Sequence, residues 1–215
     1  MFRLFYIYLL FVSLTVFIKI QWDNRYAGDV GNDCLISVDC TDFMIGEPFP
    51  YARKASKVWY SFKFKGPGLR YEVGLNIKTG DIVWINGPFL PGSWTDSKIF
   101  RDGMVKGLDR FERVEADAGY KAHDLQFART PYSLWNKDRM PELRNCVQAR
   151  HETVNRRFKQ YGSLQQRFRH DWKLHCNVFC AVAVITQVAI KSGEKLFDIA
   201  DYFDEEPKMI NSIKT

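Results

Sequence analysis

Cys34-Leu35-Ile36-Ser37-Val38-Asp39 is the stretch on which the fold turns. β-Prone, mostly apolar residues run through it and a carboxylate closes it, the pattern of a buried strand that delivers an acid at its end. Downstream, Val58 to Lys65 (VWYSFKFK) partly alternates as an antiparallel strand does, and Gly66-Pro67-Gly68 turns the chain. Leu69 to Ile77 and Ile82 to Asn86 read as two strands joined by a hairpin at Lys78-Thr79-Gly80-Asp81. Gly87-Pro88 and Pro91-Gly92 break the meander, and Thr95/Asp96 supply cap chemistry for a helix from Asp96 to Leu108. Arg113 to Asp117 is a second short strand ending in an acid, and 123–140 read as an irregular loop.

From Pro141 the pattern becomes helical. Leu143, Val147, Val154, Phe158 and Tyr161 fall on one stripe, and Gly162 ends it. A second helix spans Asp171 to Lys191. It is apolar nearly all round between Val178 and Ile190, so it is expected to be buried. Strand, meander, helix, strand, helices is the order of an α/β domain, a mixed sheet covered by helices.

The chain has 215 residues, 46% hydrophobic and 26% charged, enough for one domain with a sizeable core, and its 17 Phe, 10 Tyr and 6 Trp make that core aromatic. The net charge of +6 suits a polyanionic partner, and it is concentrated. Between Arg139 and Lys173 nine Lys and Arg face three acids. The five cysteines form no CxxC pair, which excludes a zinc site of ordinary spacing and reads as reduced thiols. No GxSxG, P-loop or HExxH occurs.

Leu4 to Ile18 runs without a charge between Arg3 and Lys19, short for a membrane span and shaped like a targeting leader or signal anchor. The chain therefore divides into an apolar leader (1–20), a main domain (30–200) and a tail (201–215). A leader of this kind would anchor the chain in a membrane.

Four acids stand out. Asp39 and Asp117 end strands, Asp96 follows the meander, and Glu152 lies on a helix face whose neighbours Gln148, Ala149, Asn155 and Arg156 are polar or small. Converging carboxylates repel one another unless a cation sits between them, and Mg²⁺ or Mn²⁺ takes oxygen ligands. His151, next to Glu152, reads as a surface histidine. Arg150, Arg156, Arg157 and Lys159 are the candidate DNA-phosphate contacts by charge and position.

The same residues carry a resemblance. Ser37 to Asp42 resembles the "DGTH" opening of DDE superfamily transposases of the PIF/Harbinger kind. Gly87 to Phe100 resembles their "PGSxxDxxxF" segment, Glu115 to Tyr120 their "DsGY" strand end, and Arg150 to Lys159 their "R..vE..f..lK" helix. The resemblance implies a ribonuclease H-like mixed sheet flanked by helices, a divalent cation (Mg or Mn), and cutting and joining of transposon-end and target DNA. It also implies a nuclear protein, working as a homo-oligomer or with a separate DNA-binding accessory protein. It carries Asp39, Asp96, Asp117 and Glu152 over as the catalytic and metal-holding acids, with either Asp96 or Asp117 as the second member of the triad. Cys40 stands where the family has glycine and Asp42 where it has histidine. Only 38 residues precede Asp39, so the chain reads as a catalytic domain without the family's helical front region.

Overall fold

A computed structural model of the protein describes residues 19–28, 34–46, 57–120, 126–131 and 141–196. The apolar stretch Leu4 to Ile18, the tail from 201 and most of the expected loop at 123–140 lie outside the described residues.

Six strands form one mixed sheet. β1 (Cys34–Met44) pairs antiparallel with β3 (Gly66–Asn76), which pairs antiparallel with β4 (Ile82–Phe89) and, at its start, with the two-residue β2 (Tyr60–Ser61). On its other edge β1 pairs in parallel with β5 (Arg113–Ala116), and β5 in parallel with β6 (Ala128–Arg129). The helices are α1 (Asp96–Asp102), α2 (Pro141–Phe158), the single turn α3 (Gly162–Gln165) and α4 (His175–Lys191). The α/β class, a mixed sheet covered by helices, is as the sequence indicated.

Side-chain alternation along β1 sorts residues between the two faces of the sheet. Ile36, Val38 and Cys40 pack with Ile99, Phe100 and Met104 from the α1 side and with Tyr120. Phe43 turns the other way, into a core with Tyr71 and Val73 of β3, Val154 and Phe158 of α2, and Phe179 of α4. Tyr71 and Phe179 stack there at 4.0 Å between ring centroids, and the Tyr71 hydroxyl hydrogen-bonds His175 Nδ1 at 2.8 Å. Each such buried ring contributes roughly 2–3 kcal/mol by area.

Trp172–Lys191 is long and apolar enough to cross a membrane by length and composition. In the fold it lies on the sheet, with Phe179, Val182 and Ala183 in the core. Its buried Gln187 is held at both ends. Gln187 Nε2 donates to Asp81 Oδ1 at 2.7 Å, and Ile82 N donates to Gln187 Oε1 at 2.7 Å, which ties α4 to the β3–β4 hairpin.

Three elements depart from expectation. The strand expected over Val58 to Lys65 shrinks to Tyr60–Ser61, because 57–59 are helical and 62–65 turn. The helix expected to reach Leu108 stops at Asp102: Gly103 adopts a non-helical conformation and a 3-10 turn, Met104–Gly107, follows. Ala128–Arg129, inside the expected loop, pairs with β5 as an edge strand. Two-residue strands carry too little periodicity to be read from sequence.

Candidate functional site

The register of the sheet brings the acids together. Asp39 lies on the α2 side of β1, four strand positions before the core residue Phe43. Asp117 follows the last residue of β5, which runs parallel beside β1 with Val38 opposite Ala116. α2 crosses near these strand ends and places Glu152, exposed, over the same pocket. That pocket, of about 130 Å³, is lined by Asp39, Asp117, Glu152, His151, Gln148 and Glu115 among others. Asn155, almost one turn beyond Glu152, donates from Nδ2 to Asp39 Oδ2 at 3.1 Å and fixes the orientation of that carboxylate.

Asp96 comes from the other side. It opens α1, whose cap Thr95 accepts a hydrogen bond from Lys98 N. Asp96 Oδ2 and Asp117 Oδ1 lie 2.9 and 3.0 Å from the point where a side chain on Gly119 would begin, so the two carboxylates stand within about 6 Å of each other. Any larger residue at 119 would push into both. Gly119 N donates to Asp117 Oδ1 at 2.8 Å and Gly119 O accepts from Ser97 Oγ at 2.9 Å, which pins the two acid-bearing segments together. Burial and the charges of Asp39 and Asp117 raise the Asp96 carboxyl above its ordinary range, against the pull of Arg70 and Lys63.

The four acids therefore meet at one end of the sheet, but their partners differ. Asp96 accepts from Arg70 Nη1 at 2.7 Å. The same guanidinium grips Asp42 with two further bonds, Nε to Oδ1 at 2.7 Å and Nη2 to Oδ2 at 2.9 Å, and Ser61 Oγ donates to Asp42 Oδ2 at 2.6 Å. Asp42, whose side chain is fully buried, is thus a holder of Arg70 rather than a free acid. Asp39, Asp117 and Glu152 have no ion-paired lysine or arginine among the described residues. They are hard oxygen donors on one pocket, the donor chemistry a divalent cation requires. Among the described residues no three His, Cys, Asp or Glu side chains stand at ligand range together, so the acids converge on the cleft without closing on it.

A family model of DDE superfamily endonucleases matches residues 38–187. The chain belongs to the DDE superfamily endonucleases. No curated protein and no solved structure matches it significantly. The matched span begins one residue before Asp39 and takes in Asp96, Asp117 and Glu152, so all four acids lie inside the family region.

Two of the candidate phosphate contacts are corrected. Arg150 is buried and its Nη1 donates to the backbone carbonyls of Ile77 (2.8 Å) and Lys78 (3.2 Å), which clamps α2 to the end of β3. Arg157 donates to Lys195 O at 2.6 Å and pairs with Glu194 at 3.2 Å. Arg150 is buried by this packing, while Arg157 is half-buried against the residues that follow α4. Arg156 and Lys159 are exposed.

His151 is also corrected: it is buried and lines the pocket, not the surface. Its neutral form is favoured because burial lowers its pKa, against the opposing pull of Asp39, the Ser37 backbone and Asp117. The signal was present, since position 151 shares the helical stripe of Val147, Val154 and Phe158, all buried.

Sequence reasoning missed Arg70 and Glu72. Glu72 is fully buried on the α1 face, opposite Cys40, and accepts from Trp84 Nε1 at 2.8 Å. Burial raises its pKa to about 7, with the Asp96 charge adding to the effect and the Trp84 and Asn86 hydrogen bonds opposing it. Neither residue could be assigned before the β1–β3 register was known.

Proposed function

We propose that this endonuclease cuts DNA phosphodiester bonds at the pocket of Asp39, Asp117 and Glu152. The observation that carries the reading is three carboxylates on one pocket with no ion-paired lysine or arginine among the described residues, inside the span that matches the family. The antiparallel β1–β3–β4 strands continued by parallel β5 and β6 support a ribonuclease H-like reading of the sheet. The likeness of the four motifs to the PIF/Harbinger kind supports assignment to that subgroup.

Asp39, Asp117 and Glu152 would hold divalent cations, two Mg²⁺ or Mn²⁺, with Asp96 beside them. When bound, such cations neutralise the phosphate, supply an activated water and stabilise the leaving oxygen. The chain's own part is positional. Asn155 orients Asp39, Gly119 lets the Asp96 and Asp117 segments close together, and His151 and the core beneath keep the pocket floor free of bulk water. Exposed Arg156 and Lys159 hold the DNA backbone. A nick leaves a 3′-OH, and its attack on a target strand would join the two DNAs. A nuclear location would accord with such a substrate.

Asp117 rather than Asp96 completes the triad in this reading, because Asp117 shares the pocket with Asp39 and Glu152 while Asp96 is already ion-paired to Arg70. The test is Mg²⁺-dependent nicking of supercoiled plasmid by the chain and by Asp39→Ala and Glu152→Ala. Loss of nicking in both variants supports the reading. Equal nicking by all three proteins overturns it, and salt-sensitive DNA binding without nicking by any of them marks a binding module instead.

A further inference from the structure

Lys57 to Lys65, KVWYSFKFK, holds four aromatic rings, three lysines and no acid, and neither the core nor the acid site accounts for its tip. Residues 62–65 turn the chain between β2 and β3. Phe64 folds back on the sheet: its ring stands 2.5 Å from where a Cβ on Gly68 would be. The turn thus has a covered place for one phenyl ring, and Phe62 does not take it. Phe62 is 81% exposed, braced edge-on by Tyr60 at 5.1 Å between centroids. Lys57, Lys63 and Lys65 of the same segment are exposed.

The turn is tied to the acid site through short bonds. Ser61 Oγ donates to Asp42, Asp42 holds Arg70, and Arg70 donates to Asp96. Lys63 Nζ donates to Cys40 O at 2.6 Å, one residue past Asp39. Phe62 therefore follows a residue bonded into the Asp42–Arg70–Asp96 cluster, on a turn that Lys63 ties to the strand carrying Asp39. A second exposed ring gives the contrast. Phe111, 74% exposed, precedes β5 at the opposite end of the sheet and has Arg110 over its face at 5.4 Å. A single exposed aromatic is ordinary. One braced by a neighbouring ring, in a lysine-rich turn bonded to the acid-bearing strand, fits a ligand of matching shape and charge.

We infer that Phe62 is a stacking wedge for DNA. Its ring lies against an unpaired nucleobase flanking the phosphate at the acid site, and Lys57 and Lys65 contact the neighbouring phosphates. An aromatic face accepts any base, whereas a base still paired in a duplex is not available to it. The wedge therefore favours single-stranded or frayed DNA over closed duplex. This rests on DNA being the substrate of the acid site, but not on cleavage.

The experiment is fluorescence anisotropy of a labelled single-stranded oligonucleotide, and of the same strand in duplex, with the full chain in buffer containing a chelator. Phe62→Ala is expected to weaken single-strand binding roughly tenfold, the effect of losing one stacked base, and duplex binding little. Phe62→Trp is expected to keep or tighten the single-strand affinity, and Phe111→Ala to leave it unchanged. Both rings are exposed, so the variants should fold, which thermal melting checks. Wild-type single-strand affinity in Phe62→Ala, or an equal loss in Phe111→Ala, overturns the inference, as does a chain that binds no single strand. Because no metal and no cleavage enter the measurement, a chain that fails to nick plasmid but shows the Phe62 dependence keeps the wedge and loses the nuclease reading.

Discussion

The two faces of the sheet treat their acids in opposite ways. On the α1 face, Asp42 and Asp96 share the Arg70 guanidinium through three bonds of 2.7 to 2.9 Å, and Ser61 completes the set. On the α2 face and the end of β5, Asp39, Asp117 and Glu152 meet around a pocket with an amide, Asn155, as the orienting group. One half carries its own cation, a single guanidinium shared by two carboxylates. The other gathers three carboxylates with no ion-paired lysine or arginine among the described residues, an arrangement that costs stability unless a cation answers it. A protein keeps such a half for what binds there, so the difference between the faces separates a structural acid cluster from a working one.

The sharpest break of that comparison is in activity. Asp39→Asn, Asp117→Asn and Glu152→Gln should each lower Mg²⁺-dependent nicking by roughly a thousandfold or more, the scale for removing a member of a catalytic unit. Asp96→Asn, on the half that has Arg70, should lose about tenfold to a hundredfold. Initial nicking rates at saturating Mg²⁺ measure this. An Asp96 variant as dead as the Asp117 variant would erase the distinction drawn between the two acids.

Stability should split the other way. Asp42→Asn leaves the Arg70 guanidinium half-paired in a site where its own side chain is only 12% exposed, and breaking a buried pair costs about 3–5 kcal/mol. Asp39→Asn, by contrast, removes one of several like charges and should leave the metal-free protein unchanged or slightly more stable. Urea denaturation of the two variants in chelator gives the comparison. Equal destabilisation would mean that the pocket acids are internally compensated as well.

The division was only partly legible in the sequence. Strand ends at Asp39 and Asp117 announced themselves through β-prone runs that stop at an acid, and local periodicity placed Glu152 on a helix. The mixed sheet followed from the order of elements. What could not be read was which face each acid serves, because that depends on the pairing of Asp42 with Arg70 and of Cys40 with Glu72 across β1 and β3. Charge alone misled at Arg150 and Arg157: a cation on a helix reads the same whether it meets solvent or binds the backbone carbonyls of a neighbouring segment. His151 was misplaced for a different reason. Its polar side chain outweighed the stripe position it shares with Val147 and Val154.

Glu72 sharpens the comparison by titration. It sits on the Arg-compensated face, yet burial holds its pKa near 7 against an ordinary 4.5. Below about 4.5 it is protonated in both the folded and the unfolded chain. As pH rises from about 4.5 to about 7 the unfolded chain loses the proton first, so the folded state holds more protons and stability falls. Above about 7 the penalty is complete, on the order of 3 kcal/mol for a shift of this size. Glu72→Gln keeps an acceptor for Trp84 Nε1 and should remove this slope, leaving the variant more stable than the parent at pH 8 and equal at pH 4.5. Denaturant midpoints across that range decide it. Parallel curves for parent and variant would mean that Glu72 is ionised in the fold and that Arg70 compensates more of this face than its direct bonds indicate.

The smallest effect concerns the exposed rim of α2. Arg156 and Lys159 stand in solvent on the helix that carries Glu152, while Arg150 and Arg157 are held by backbone carbonyls. Each phosphate contact releases about one counterion, so the slope of log affinity against log salt should fall by about 1 for Arg156→Gln and by about 1 for Lys159→Gln. Arg157→Gln should leave the slope as it is, because its guanidinium already binds Lys195 O and Glu194. Duplex binding titrated at several salt concentrations separates the cases. A slope that changes with Arg157 and not with Arg156 would move the DNA path to the other side of α2, away from the open acids, and the pocket would then lack a substrate approach along that helix.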